Sequence, residues 1–213
     1  LALARAYLRD APVLLLDDSM IASLNAIFVR GVKATAIDRK QKALVLEDGR
    51  VLSGVMALAE FLEESVPTQP LLPGNVDERA EIRRLTGWFH SKFGTEVTRL
   101  LVREKLYKRY FKMGPVDSAS VRAASHNLRL HLDYIRYLML SRHYLAGDQF
   151  TMADAAAAAH LSVVDYFGNI VWQDWPDVKD WYVRVKSRKS VRGLLTDRIS
   201  GMLPPAHYSE LDF

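Results

Sequence analysis

Residues Phe150–Gly168 read FTMADAAAAAHLSVVDYFG. A hydroxyl residue, Thr151, is followed three positions later by an acid, Asp154, and then by five consecutive alanines. That spacing predicts a capping box, with Asp in place of the commoner Glu. The Thr151 hydroxyl takes a backbone N–H of the first turn, and the Asp154 carboxylate reaches back to the N–H of Thr151. The alanines have high helix propensity and leave a smooth surface that neighbouring helices can approach closely. The stretch therefore predicts a central, buried helix in which Thr151 and Asp154 hold structure and carry no chemistry.

Upstream, the chain is helical from Asp77. Ile82, Leu85, Phe89, Phe93, Val97 and Leu100 recur at three and four, which predicts one long amphipathic helix. Lys112-Met113-Gly114-Pro115 breaks it. A second helix is expected from about Asp117 to Arg142, with Leu128, Leu132, Ile135 and Met139 on one stripe and Gly147-Asp148 closing the hairpin. Downstream, Pro176 suits the first turn of a further helix, and a short helix follows to about Arg198. The chain closes in GMLPPAHYSELDF, whose paired prolines stop helix formation.

Before the helical part lies VPTQPLLPGN, residues 66–75, in which three prolines mark a boundary. The segment ahead of it mixes periods. Leu1–Leu8 reads as a helix and Val13–Asp17 as a short buried strand. Ala43–Leu46 reads as a strand, Glu47-Asp48-Gly49-Arg50 as a hairpin turn and Val51-Leu52 as the return strand, with Ser53 capping a helix through Glu64. The expected organisation is a small α/β domain over 1–65, a linker over 66–76, a helical domain over 77–200 and a tail over 201–213.

The chain has 213 residues, of which 49% are hydrophobic, enough for one large or two small cores. No run approaches the roughly 20 apolar residues of a membrane-spanning helix, so direct membrane insertion is not expected. There are no cysteines, which excludes disulfides and thiolate chemistry and suits a reducing compartment. A net charge of +4 favours acidic partners without implying nucleic acid, and no nucleic-acid-binding signature accompanies it. The acids Asp17 and Asp18 end an apolar run as in some ATPases, but no G-x-x-x-x-G-K-[ST] motif exists to cradle phosphates. The six histidines never adopt H-x-x-x-H spacing, and His160 in the alanine-rich helix reads as a core histidine; no metal is expected.

Three segments together resemble the glutathione S-transferase superfamily: VLEDGRVLSGVMALAEFLEESVP, PLLPGNVDERAEIRRLTGWF and YLAGDQFTMADAAAAAHLS. The resemblance implies an α+β two-domain fold, a small thioredoxin-like domain followed by an all-helical one, and a homodimer. FHSKFGTEVTRLLVREKLYKR and the ending PPAHYSELDF look like a bacterial subgroup of cell-division proteins that bind FtsZ. That implies a cytoplasmic, non-catalytic protein acting on FtsZ polymers at the division site.

Glutathione chemistry in this superfamily needs a proline ahead of one strand and an acid–Ser pair opening a helix. By the resemblance, these positions fall at Lys42, Gly54 and Val55, which lack the proline, carboxylate and hydroxyl. No cofactor is expected on that count, and glutathione only if the alternative, a working glutathione transferase, holds. The candidate partner-binding residues are Lys105, Lys108, Arg109 and Tyr110 in a basic, aromatic cluster, with Asp212 and Phe213 in the tail. Tyr and Arg are common anchors of interfaces. A second basic cluster spans Arg184 to Arg192; for both clusters the default reading is a solvated face and the functional one a patch for an acidic polymer.

Overall fold

The computed structural model describes residues 34–38, 43–46, 48–53, 57, 60–61, 63–64, 70–196, 198–199 and 201–211. The expectations for Leu1–Leu8, Val13–Asp17, Lys42, Gly54, Val55, Asp212 and Phe213 fall outside them.

The hairpin read from Glu47-Asp48-Gly49-Arg50 is present. Strands β1 (Ala34–Asp38), β2 (Ala43–Leu46) and β3 (Val51–Ser53) form an antiparallel meander in that order. Leu44 pairs with Leu52 and Val45 with Val51. Gly49 makes the turn at φ +82°, a conformation that favours glycine. Two details depart from expectation. Ser53 ends β3, paired with Ala43, and the helix start it was expected to cap falls outside the described residues. The alanine-containing ATAID of β1 was missed because alanine is a poor strand former and no turn signal flanks it. Ala57, Glu60, Phe61, Glu63 and Glu64 are helical. Glu60 pairs with Arg83 at 2.7 Å, and Glu63 accepts the Leu71 N–H at 2.7 Å. These bonds tie this segment to the start of the helical domain.

A rod of continuous helix, α1, runs over residues 76–110. Asn75 caps it: its Oδ1 accepts the N–H groups of Asp77 and Glu78 at 2.9 and 3.0 Å, while Glu78 takes the Asn75 N–H. The rod changes character along its length. Val76–Gly87 has regular turns, whereas Trp88–Thr98 and Val102–Tyr107 are π-helical. The N–H of Arg99 accordingly reaches Gly94 O, five residues back. This explains one difference from the sequence reading. A spacing of four runs ahead of a 3.6-residue turn and lags a wider one; Phe89, Phe93 and Val97 lie in the wider stretch and Leu101 in the regular turn that follows it. All four are fully buried, while Leu100, the position expected from a plain helix, is only half-buried.

Helix α2 (Ser118–Met139) returns along the rod, capped by Asp117, with Leu128, Leu132 and Ile135 buried as the stripe predicted and Met139 half-buried. Helix α3 (Met152–Tyr166) fills the centre, packed on α1 and on α4 (Pro176–Lys186). Ala153, Ala156, Ala157 and Ala158 lie buried among larger neighbours, so the alanine run serves close helix packing. A short helix α5 (Lys189–Arg192) and a 3₁₀ turn (Gly193–Thr196) lead to the tail, whose own 3₁₀ turn spans Ala206–Ser209.

Candidate interaction surface

Asp154 is engaged inside the fold. Its side chain is fully buried. Oδ2 accepts the Thr151 N–H and hydroxyl, both at 2.9 Å, and Oδ1 accepts the Leu145 N–H at 2.8 Å and Trp181 Nε1 at 2.9 Å. Burial pushes the carboxyl above its ordinary pKa, and these donors pull it back. The capping box is present, and the same acid also fastens the α2–α3 loop and helix α4.

His90, His131 and His160 make contacts inside the helical domain. Trp88 Nε1 donates to His131 Nδ1 at 3.1 Å, which leaves His131 Nε2 to donate to Glu96 at 3.1 Å. His160 is buried beside Thr98 (3.0 Å) and His90 (3.4 Å), and burial pushes its pKa down to about 3. Among the described residues no group of three or more His, Asp or Glu side chains is placed to hold a metal ion.

The basic cluster at the end of α1 divides in two. Lys105 turns inward, donating to Phe167 O at 3.2 Å and Asn169 Oδ1 at 2.6 Å, and burial lowers its pKa. Lys108 pairs with the buried Glu104 at 2.6 Å, and Glu104 also accepts the Asp117 N–H at 2.7 Å. Lys108 thus helps brace the α1–α2 hairpin, while Lys105 ties α1 to the end of α3. Arg109 and Tyr110 remain exposed, joined by Arg103, Phe111, Lys112 and Met113. The i, i+4 spacing of Glu104 and Lys108 was the signal that Lys108 had a partner on its own helix.

The second basic cluster is split: Arg188 and Arg192 are exposed, Arg184 is half-buried and Lys186 is buried. Lys186 is fully buried, its Nζ 3.3 Å from His207 O and set over the rings of Tyr182 and Tyr208. Burial brings its pKa down to about 8. Arg188 lies 4.0 Å over the Phe150 ring, and Arg184 donates to His143 O at 3.0 Å.

The tail packs back on the helical domain. His207 Nε2 meets the buried Asp165 at 2.9 Å, and Arg198 donates to Ser209 at 2.8 Å. Tyr208 is buried against Tyr166. Pro205 crosses Gly168 so closely that a Cβ there would stand 3.2 Å from it. The sequence singled out the tail's apolar residues but gave no sign of their seat, since Asp165 and Lys186 lie on different helices.

One further surface was not read from the sequence. On α2 and its C-terminal cap, Leu130, Tyr137 and the cap residue Leu140 are 58%, 68% and 74% exposed, spaced seven and three apart.

Residues 104–189 match the glutathione S-transferase C-terminal domain family. The chain is 47% identical to FtsZ-localized protein A of Caulobacter vibrioides over 163 residues, 76% of this chain and 72% of that protein. Among solved structures it resembles FzlA from C. crescentus with a TM-score of 0.76 and 37% identity, covering 100% of this chain and 93% of that one. It also resembles a glutathione S-transferase from Rhodospirillum rubrum F11, with a TM-score of 0.77 and 40% identity, covering 99% and 93%. With its helical domain, its rod-and-hairpin geometry and these relatives, the chain belongs to the glutathione S-transferase superfamily.

Proposed function

We propose that this chain is a non-catalytic interaction protein of glutathione S-transferase fold that binds FtsZ filaments and promotes bacterial constriction at the division site, in the cytoplasm. The observation that carries this reading is the 47% identity to FtsZ-localized protein A. On the same reading the β1–β3 meander belongs to a thioredoxin-like first domain, and the contact surface draws on Arg109 and Tyr110 of the hairpin and on Asp212 and Phe213 of the tail. Lys105 and Lys108 act behind that surface, Lys108 by holding the hairpin through Glu104 and Lys105 by fixing α1 to the end of α3. The alternative is glutathione transfer, and its support is the 40% identity to the Rhodospirillum rubrum enzyme.

Co-sedimentation with GTP-assembled FtsZ, paired with calorimetric titration of glutathione, separates the two. The expected result is pelleting only with polymer, weakening as salt rises, because exposed charges are screened beyond about 8 Å at physiological ionic strength. No heat of glutathione binding is expected. A supernatant protein at every salt concentration, or glutathione binding with transferase turnover, rejects the proposal.

The reading includes a homodimer, and the α2 stripe supports it. Leu130 and Tyr137 recur at the heptad interval of a two-helix seam, and large exposed apolar groups in a row mark interaction sites. Tyr137→Arg is expected to halve the mass measured by light scattering without lowering Tm by more than a few degrees. An unchanged dimer mass would remove α2 from the interface.

A further inference from the structure

We propose that the tip of the α1–α2 hairpin, centred on Lys112, is a docking site for an acidic, apolar-bearing segment of a partner protein. The proposal rests on the filament-binding reading above and locates it. Four apolar side chains are exposed within seven residues: Tyr110 (43%), Phe111 (61%), Met113 (55%) and Val116 (56%). Arg103, Arg109 and Lys112 are exposed among them. The nearby acid Glu104 is buried and already paired, so the positive charge of the tip faces outward. Gly201, at the start of the tail, lies alongside: a Cβ there would stand 3.9 Å from the Tyr110 hydroxyl and 4.0 Å from Arg109 Nη2. The tip and the tail's first turn therefore form one surface.

The backbone at Lys112 carries the argument further. The Met113 N–H bonds Lys108 O at 3.1 Å, a six-to-one closure of the Schellman type that places Lys112 at the first position past the helix cap. That position takes a left-handed conformation, and Lys112 has φ +51°. Glycine is the favoured residue there, because a side chain is penalised at positive φ. The fold alone would be better served by glycine. A lysine in its place sets a cation at the centre of an exposed aromatic patch, and local strain retained in this way is typical of functional sites.

The chemistry favours a protein segment over a lipid surface. Recognition of anionic lipid typically uses about four to eight clustered basic residues. Here three exposed cations share the tip with the exposed carboxylate of Asp117, which is engaged in capping α2. Arg and Tyr interleaved with Phe and Met match the composition of protein interfaces.

The test compares Lys112→Gly and Phe111→Ser with the wild-type protein in co-sedimentation with assembled FtsZ, and in flotation with phosphatidylserine-containing vesicles. Lys112→Gly is expected to melt no lower, and up to about 4 °C higher, because it relieves the positive-φ penalty. The same variant is expected to bind polymer about three- to fivefold more weakly at low salt, and Phe111→Ser about tenfold. Since Lys112→Gly keeps the fold, its weakened pelleting cannot be blamed on unfolding. Both variants pelleting as wild type would overturn the tip assignment while leaving the filament reading intact. Vesicle binding lost in the variants, with FtsZ pelleting unchanged, would overturn it in favour of lipid. If wild-type protein does not pellet at all, the filament reading falls and takes the named occupant with it.

Discussion

Replacing Asp154 by alanine is expected to lower the unfolding free energy by about 3–5 kcal/mol. The side chain is fully buried and its two oxygens accept from four donors: the Thr151 N–H and hydroxyl, the Leu145 N–H and Trp181 Nε1. Three of these are N–H groups without any freedom to turn towards water. Two belong to the backbone and one to an indole that is itself fully buried. Leaving such a group unsatisfied costs about 1–3 kcal/mol. Alanine also leaves a void where Leu145, Thr151 and Trp181 converge, so the packing of α4 on α3 loosens with the cap. The Asp154→Asn variant offers a sharper comparison. The amide oxygen can replace one carboxylate oxygen, but the NH₂ group then meets either the Trp181 and Leu145 donors or the Thr151 pair. Asp154→Asn is therefore expected to be nearly as damaging as alanine. Urea denaturation followed by circular dichroism measures both variants. A loss below about 1 kcal/mol for Asp154→Ala would mean that the four bonds are not what holds the α2–α3 loop and α4 to the helix start.

The contrast between Asp154 and its other partners shows where sequence reading ends. The i, i+3 relation of Thr151 and Asp154 is local, so the bond between them was legible. The bonds to Leu145 and Trp181 span nine and 27 residues, and no periodicity encodes them. The helical domain followed the same rule. Its breaks and stripes and the Thr151–Asp154 cap are local or periodic and emerged from the sequence, whereas the equally local Asn75 and Asp117 caps were not read. The π-helical turns of α1 did not, and they moved the buried position from Leu100 to Leu101. The basic clusters were legible as charge but not as surface. Lys105 and Lys186 look like any other lysine until Asn169 and His207 arrive beside them from distant parts of the chain. Lys108 could have been assigned a partner from Glu104 four residues earlier. The docking of the tail depends on Asp165, Lys186 and Gly168, three residues whose meeting is a property of the assembled bundle.

Removal of the Tyr208 side chain should have the second large effect, and it reaches from stability to binding. Tyr208 is 1% exposed, edge-on to Tyr166 with centroids 5.1 Å apart, and its ring lies 6.0 Å from the buried Lys186 ammonium. Truncating an aromatic side chain in such a setting costs about 3–5 kcal/mol. It also removes the ring that covers the Lys186 and Asp165 neighbourhood, so water gains access to a buried cation and a buried carboxylate. The tail's polar ties, His207 to Asp165 and Arg198 to Ser209, cannot exclude that water, and its other apolar contacts, Met202, Pro205 and Leu211, are smaller than the lost ring. The expected result for Tyr208→Ala is a stability loss of about 3 kcal/mol together with new protease cleavage after residue 203 at temperatures where the helices remain folded. Tyr208→Phe keeps the ring and should lose no more than about 1 kcal/mol. Asp212 and Phe213 follow Tyr208 by four and five residues in the sequence. If they contact the filament, Tyr208→Ala should pellet less with FtsZ even where circular dichroism shows an intact helical domain. Full pelleting by a variant whose tail is protease-sensitive would separate the tail from the binding surface and leave the hairpin tip to act without it.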